Sequence, residues 1–408
     1  MTEYVLTPEM IGFVGTVLKA LLVIGMALQI VPGCIYFERK IAAYVQHRLG
    51  PNRVNFTIGT LRYLMPESMR DSIPEGLARV KLIPGSLQPL ADAIKLAFKE
   101  EVIPEKADKL LYNLGPALAF IPVGTALCFL PFGATLVVPD MVIGGVEVQR
   151  TAIEMSVSNV VPGMLMLLAV SSLGVYGIAC GGWGSGSKYP LMGAIRAAAQ
   201  MVSYEVPLGI AFLIALASVG SLDGQEIVRN QAETNGGVLG WLIFRQPLAA
   251  LIFLVAMFAE NNRLPFDLPE AEPELVGGYH TEYTGLKFAI FFLGEYCAMI
   301  LMCGLFTTLF LGGWSFGPFE ATQFGPVSLG GWITPEGGII NTLLSIVVFS
   351  TKLLLVLLLQ LWIRWTLPRF RYDQLMDLGW KVLTPLALGN LAITAILITK
   401  FPNFTFFA

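Results

Sequence analysis

Charge is what this sequence has least of. Only 13% of its 408 residues are Asp, Glu, Lys or Arg, about half of the ~25% carried by a soluble globular chain. Such a chain cannot clothe its surface for water, and its 55% hydrophobic content and mean hydropathy of +0.68 point to lipid as the solvent. The net charge of −3 excludes nucleic acid as a partner, because neutralising phosphates takes a basic excess. Two histidines, His47 and His280, and five cysteines without Cys-x-x-Cys spacing offer no ligand set for a metal or iron–sulfur site. No P-loop is present, and no Gly-x-Gly-x-x-Gly follows a strand-like run. If the chain serves redox chemistry, the electron carriers sit on other chains.

What is present is long apolar runs. Eight are long enough to cross about 30 Å of hydrocarbon at about 1.5 Å per residue, near 11–37, 112–133, 159–180, 191–218, 245–262, 284–313, 339–363 and 384–401. The expected fold is therefore all-α, a polytopic transmembrane helical bundle forming one domain over 1–408. The first run follows an acidic rather than a basic start and has no small-residue cleavage site at its end, so it reads as a span and not a signal peptide. Lys and Arg crowd the segments after spans 1, 3, 5 and 7, while the other side holds only Arg150, Arg229, Arg245 and Lys400. That asymmetry puts the loops near 38–111, 263–283 and 364–383 in the cytoplasm and both ends outside.

Within the 38–111 loop, Leu87, Leu90, Ala91, Ile94, Ala97 and Phe98 recur at helical spacing against Asp92, Lys95, Lys99 and Glu100. Residues 87–101 thus read as an amphipathic helix on the cytoplasmic side, lying on the membrane surface, on a partner protein, or between the two. The preceding stretch, 55–85, carries three prolines and mixed charge and reads as a short, partly helical excursion. Among intramembrane charges, Glu205 lies two residues before Pro207, Glu260 ends the fifth span, Glu295 lies inside the sixth and Lys352 near the middle of the seventh. Each costs about 2.5–3.5 kcal/mol on insertion scales and so needs either an interhelical partner or a polar pathway.

The densest group follows the fifth span, from Arg263 through Phe266, Asp267, Glu270, Glu272 and Glu274 to Glu282. Pro265, Pro269 and Pro273 recur every fourth residue and break any regular helix. In an extended stretch, residues 270, 272 and 274 project to one side, where crowded carboxylates share protons. A solvated acidic loop is the competing reading, and the residues alone leave the two level.

The string Glu38-Arg39-Lys40-Ile41-Ala42-Ala43-Tyr44-Val45-Gln46-His47-Arg48-Leu49-Gly50-Pro51-Asn52-Arg53 resembles the opening signature of one membrane-subunit family of NADH–quinone oxidoreductase, respiratory complex I. It is the family that stands at the junction with the peripheral arm. Similar to the family's later motifs are Gln88-Pro89-Leu90-Ala91-Asp92, Ser203-Tyr204-Glu205-Val206-Pro207, the run from Glu260 to Glu272, Gly278 to Tyr283, and Arg364 to Leu375. They stand in the family's order over nearly the whole chain. The resemblance implies a membrane subunit that, with the peripheral-arm quinone-site subunits, builds a quinone chamber. It further implies that Arg39, Arg48, Arg53, Asp92, Arg263 and Phe266 lie near the quinone cavity and arm junction. Glu205, Glu260, Asp267, Glu270, Glu272, Glu274 and Glu282 match the path that carries protons inward from it. The implied substrate is quinone, with FMN and iron–sulfur clusters on partner subunits, and the implied location is the inner (cytoplasmic) membrane of a bacterium rather than of an organelle. Two departures stand out: the long insert near 55–85, and Asn261 where the family often has threonine. Alternatives are the homologous subunit of a membrane hydrogenase or other-donor quinone oxidoreductase, and a stand-alone transporter, for which no internal repeat is found.

Overall fold

Apolar runs that must satisfy every backbone N–H and C=O internally have to become helices in lipid, and they do. The computed structural model describes residues 8–52, 54–57, 81–138, 141–143, 146–148, 151–158, 160, 162–233, 238–269, 272–315, 336–337 and 339–400. Its helices are α1 (Pro8–Val45), α2 (Gln88–Phe98), α3 (Lys109–Leu127), α4 (Gly163–Ser171), α5 (Gly174–Gly184) and α6 (Lys188–Val219). They continue with α7 (Gly224–Glu233), α8 (Pro247–Glu260), α9 (Gly285–Phe310), α10 (Ile339–Thr366), α11 (Tyr372–Asp377) and α12 (Thr384–Lys400). Taking α4 with α5 and α11 with α12, seven helical stretches among the described residues are long and apolar enough to cross a membrane, with α8 a shorter eighth. The protein is an all-α polytopic bundle.

Three of the expected spans differ in detail. The third is two helices, because the chain turns at Ser172 and Leu173. The fifth is only the 14 residues of α8, about 21 Å at ~1.5 Å per residue. The last joins α11 through a π-helical turn at Leu378–Leu383. The helix ends follow local chemistry. Asp108 caps α3, its Oδ1 accepting from Leu110 and Leu111 N–H at 3.0 and 3.4 Å. Gly220 closes α6 at φ +80°, its N–H returning to the Leu216 carbonyl. The α3–α5 crossing is tight enough that a Cβ on Gly177 would lie 2.3 Å from the Ala119 nitrogen, so glycine there sets the approach.

At one end of the bundle, Glu38, Asp92, Arg263, Lys287, Arg364 and Arg369 gather with the loop after α8. At the other end, strand β1 (Gly133–Val138) pairs antiparallel with β2 (Thr151–Met155), and α7 lies against it through a Gln225 Nε2 bond to the Gly133 carbonyl. Lys19 Nζ reaches the Glu154 and Ser156 carbonyls at that same end. Every loop expected inside for which residues are described therefore lies opposite the β1–β2 hairpin. Residues 58–80 of the expected insert lie outside the described residues. At its base Phe56 pairs with Ile83, and Gly85 N–H donates to Asn55 Oδ1 at 2.8 Å.

The expected amphipathic helix is α2. It touches α1 and α9 and turns Leu90, Ile94 and Phe98 outward, spaced four apart along one stripe. Opposite that stripe, Asp92 Oδ2 meets Arg39 Nη2 at 2.6 Å.

Candidate functional site

The chain leaves α8 through Asn262, at φ +49°, a conformation asparagine tolerates better than most residues. That turn drives Arg263 into the bundle, where it is 5% exposed. Its Nε lies 2.5 Å from Glu295 Oε1 on α9, and its Nη1 lies 3.4 Å from Glu38 Oε2 on α1. Glu38 also accepts from Arg364 Nη1 on α10 at 2.5 Å and from the Tyr296 hydroxyl at 2.6 Å. The Arg263 guanidinium stands 4.5 Å from the centroid of the Tyr296 ring. Nearby, Arg369 Nη2 meets Asp267 Oδ2 at 3.1 Å. Three guanidinium groups thus face three carboxylates, so the cluster is close to neutral and buried ions are paired.

The backbone of the loop is held by a side chain that the sequence does not advertise. Gln200 Nε2, fully buried on α6, donates to the carbonyls of Ala259 at 2.8 Å and Phe266 at 2.7 Å. Phe266 stacks on Phe370 at 5.3 Å and lies 5.7 Å from Tyr204, while Phe370 N–H donates to the Pro265 carbonyl at 3.1 Å. Phe266, expected at the quinone cavity, is a buried anchor of the loop, 4% exposed.

Next to the ion cluster is a cavity of about 60 Å³ lined by Glu260, Asn261, Asn262, Tyr279, Glu295 and Met201. Among the described residues, Glu260 Oε2, both side-chain polar atoms of Asn261 and Asn262 Oδ1 have no hydrogen-bond partner. The rest of the wall is mostly apolar, from Val123, Ile178, Phe291 and Leu301 among others, so any water in it would sit against these polar atoms. Glu205 lies on α6 beside Ser172, at the break between α4 and α5, and within electrostatic range of Glu260.

On the outer side of Glu38, a groove of about 390 Å³ is lined by Arg39, Arg48, Gly50, Gln88 and Trp365 as well as by Glu38 itself. Arg39, Arg48 and the Arg39 partner Asp92 are therefore neighbours. Arg53 and Glu270 lie outside the described residues, as does the side chain of Glu272.

The expected extended acidic stretch is corrected in part. Glu272–Leu275 is a helical turn, and residues two apart on a helix point roughly to opposite sides rather than the same one. Proline is well tolerated at the start of such a turn, which is where Pro273 sits. Glu274 is largely exposed and pairs with Arg196 Nη1 at 2.6 Å. The Glu282 carbonyl accepts from the Tyr112 hydroxyl at 2.9 Å. Tyr283 stacks on Tyr112 at 4.2 Å, and its hydroxyl donates to the Tyr112 and Gly181 carbonyls. Burial raises the Tyr283 pKa, so it stays a donor. His280 lies edge-on to Tyr279 and Phe288, 5.0 and 5.4 Å away, and burial pushes its imidazole down to about 4.

Comparison with known proteins places these features in a wider setting. The NADH dehydrogenase family profile matches residues 18–395. A Rhodothermus marinus protein named NADH-quinone oxidoreductase subunit 8 is 40% identical over 386 residues, 95% of this chain and 98% of that one. A Geobacter sulfurreducens protein, also named as a subunit of NADH-quinone oxidoreductase, is 39% identical over 396 residues, 96% and 97% of the two chains. Its namesake in Salinibacter ruber is 38% identical over 390 residues, 96% and 98%.

Proposed function

The chain belongs to the NADH dehydrogenase family, and on that premise we propose that it is the quinone-handling membrane subunit of a proton-translocating NADH–quinone oxidoreductase. It is not catalytic alone. With peripheral-arm subunits it forms the chamber in which quinone takes up two electrons and two protons to become quinol. FMN and iron–sulfur clusters on those partners deliver the electrons. Its setting is the cytoplasmic membrane of a bacterium, among the other membrane subunits of the complex.

In this reading the groove at Arg39, Arg48 and Gln88 borders the chamber, and Asp92 orients Arg39. The observation that carries it is the double position of Glu295: it pairs with Arg263 in the ion cluster and lines the same cavity as Glu260. Charge and proton changes near the groove thereby reach the cavity through Glu38, Arg263 and Glu295, a set of contacts with no apolar gap. From the cavity, Glu260 couples to Glu205. Asp267, held by Arg369, fixes the loop at its start, while Glu270, Glu272, Glu274 and Glu282 supply its acidic surface.

Glu205→Gln tests the reading, because glutamine keeps the shape and removes the titratable proton. The expected result is a normally assembled complex that has lost most quinone-dependent turnover and its proton pumping. Wild-type turnover and pumping in that variant would make Glu205 a packing residue.

A further inference from the structure

Tyr296 touches both members of the ion pair that joins α1 to the loop after α8. It stands on α9, 4% exposed, and directly follows Glu295. The two side chains therefore leave the helix about 100° apart and reach Arg263 from different sides. Glu295 Oε1 lies 2.5 Å from Arg263 Nε, while the centroid of the Tyr296 ring lies 4.5 Å from the guanidinium carbon. The hydroxyl at the end of that ring donates to Glu38 Oε2 at 2.6 Å, the length of a charge-assisted O–H···O⁻ bond. Arg263 Nη1 reaches the same oxygen at 3.4 Å.

An arginine and a carboxylate commonly close into two parallel N–H···O bonds. Arg263 and Glu38 do not. Of the Glu38 oxygens, Oε1 is held by Arg364 Nη1 at 2.5 Å and Oε2 by the Tyr296 hydroxyl. The carboxylate is thus turned toward Arg364 and Tyr296, and Arg263 keeps its shorter contact with Glu295. The ring face attracts a cation and supports the guanidinium between the two acids. Phenylalanine would supply the same ring. What tyrosine adds is one neutral donor, which holds a carboxylate without adding charge to the cluster.

We propose that Tyr296 is a positioning residue for quinone turnover: its hydroxyl holds Glu38 so that Arg263 stays shared between Glu38 and Glu295. This role rests on the reading above, in which charge changes at the groove reach the cavity through those three side chains. Without the hydroxyl, Glu38 Oε2 is open to Arg263, and the pair closes into the two-bond form. Arg263 is then drawn off Glu295, and the set of contacts from groove to cavity breaks at its middle. Glu38 lines the groove and Tyr296 stands behind it, so the hydroxyl acts through Glu38.

Tyr296→Phe in the intact complex removes one oxygen and keeps the ring. Turnover of a short-chain quinone by the reconstituted complex is read as kcat and KM. The expected result is normal assembly, a KM within about twofold of wild type, and a kcat lowered about tenfold, the scale of one hydrogen bond to a charged group. Wild-type kcat in the assembled variant overturns the proposal. Failure to assemble overturns it too, since the hydroxyl then serves folding. Glu38→Gln and the double variant supply the second arm. Because the hydroxyl acts through Glu38, the double variant should be no slower than Glu38→Gln alone. Losses that multiply would place Tyr296 outside this set of contacts and overturn its role. The Glu205→Gln result stands apart: full activity there beside a slow Tyr296→Phe ends the path beyond Glu260 and keeps Tyr296 in place. The reverse pair of results keeps the path and removes Tyr296 from it.

Discussion

Arg364 Nη1 lies 2.5 Å from Glu38 Oε1, and this contact ties α1 to α10 across 326 positions of sequence. Glu38 thereby has two guanidinium partners, while Glu295 has Arg263. The cluster closes the end of the bundle where three spanning helices and the loop after α8 converge.

Arg263 is the member whose loss matters most. Replacing it with methionine leaves Glu295 buried without that partner and removes one of the two partners of Glu38. Breaking a buried pair by deleting one side costs about 3–5 kcal/mol. Arg263→Met should therefore reduce the assembled complex severely, as read by native gel electrophoresis of solubilised membranes. Adding Glu295→Gln removes the stranded charge and should restore part of the assembly. A double variant no better than the single one would show that the two residues are not energetically coupled.

Glu274 should behave in the opposite way. Its carboxylate is 60% exposed and its Arg196 partner 28% exposed, and such surface pairs contribute about 0–1 kcal/mol and weaken with salt. Glu274→Gln is expected to leave quinone-dependent turnover within about twofold of wild type, which is ~0.4 kcal/mol of barrier. Any loss of assembly should shrink the wild-type advantage further as salt rises. A tenfold fall in activity per assembled complex would instead return Glu274 to the shared proton group expected from an extended loop.

How much of this is legible in the sequence depends on the range of the interaction. The spans, the Lys/Arg asymmetry and the apolar stripe of α2 are local patterns, and the spans emerge in the fold as helices. Glu205 beside Pro207 and Glu260 at the end of α8 are likewise visible as charges that lipid does not tolerate. The partners of those charges are not. Nothing near Glu38 announces Arg364, since their meeting depends on how α1 packs against α10. Gln200 looks like any polar residue in a helix until its amide is found bridging the last turn of α8, at the Ala259 carbonyl, and the loop after it, at the Phe266 carbonyl. The break at Ser172 and Leu173 hides in a continuous apolar run, because hydropathy averages over a kink. At 272–275 the recurring prolines suggest an irregular, extended stretch, whereas Glu272 begins a turn of helix that holds Pro273 near its start. The Lys352 ammonium is noticeable as a charge in a span, but the Leu311, Gly313 and Ser315 carbonyls that accept from it are brought there only by the turn at Gly312 and Gly313.

His280 gives a prediction in which the sign can be worked out. Its folded pKa is pushed down to about 4 from the usual 6.5 by burial in the aromatic cage of Tyr279, Phe288 and Phe292. The unfolded chain binds a proton at this position as pH falls through 6.5, while the folded chain does not until pH nears 4. Between those values the unfolded state binds more protons, so folding loses stability as pH drops, by about 1.4 kcal/mol per unit and ~3 kcal/mol in all. Above pH 7 the residue contributes no pH dependence, because both states hold it neutral. His280→Phe keeps an aromatic ring in the cage and removes the titration. The thermal midpoint of the intact complex, followed from pH 7.5 to pH 5, should therefore fall less in His280→Phe than in wild type. Parallel curves for the two proteins would mean that the imidazole accepts its proton inside the cage, and that the cage is wetter than its aromatic walls imply.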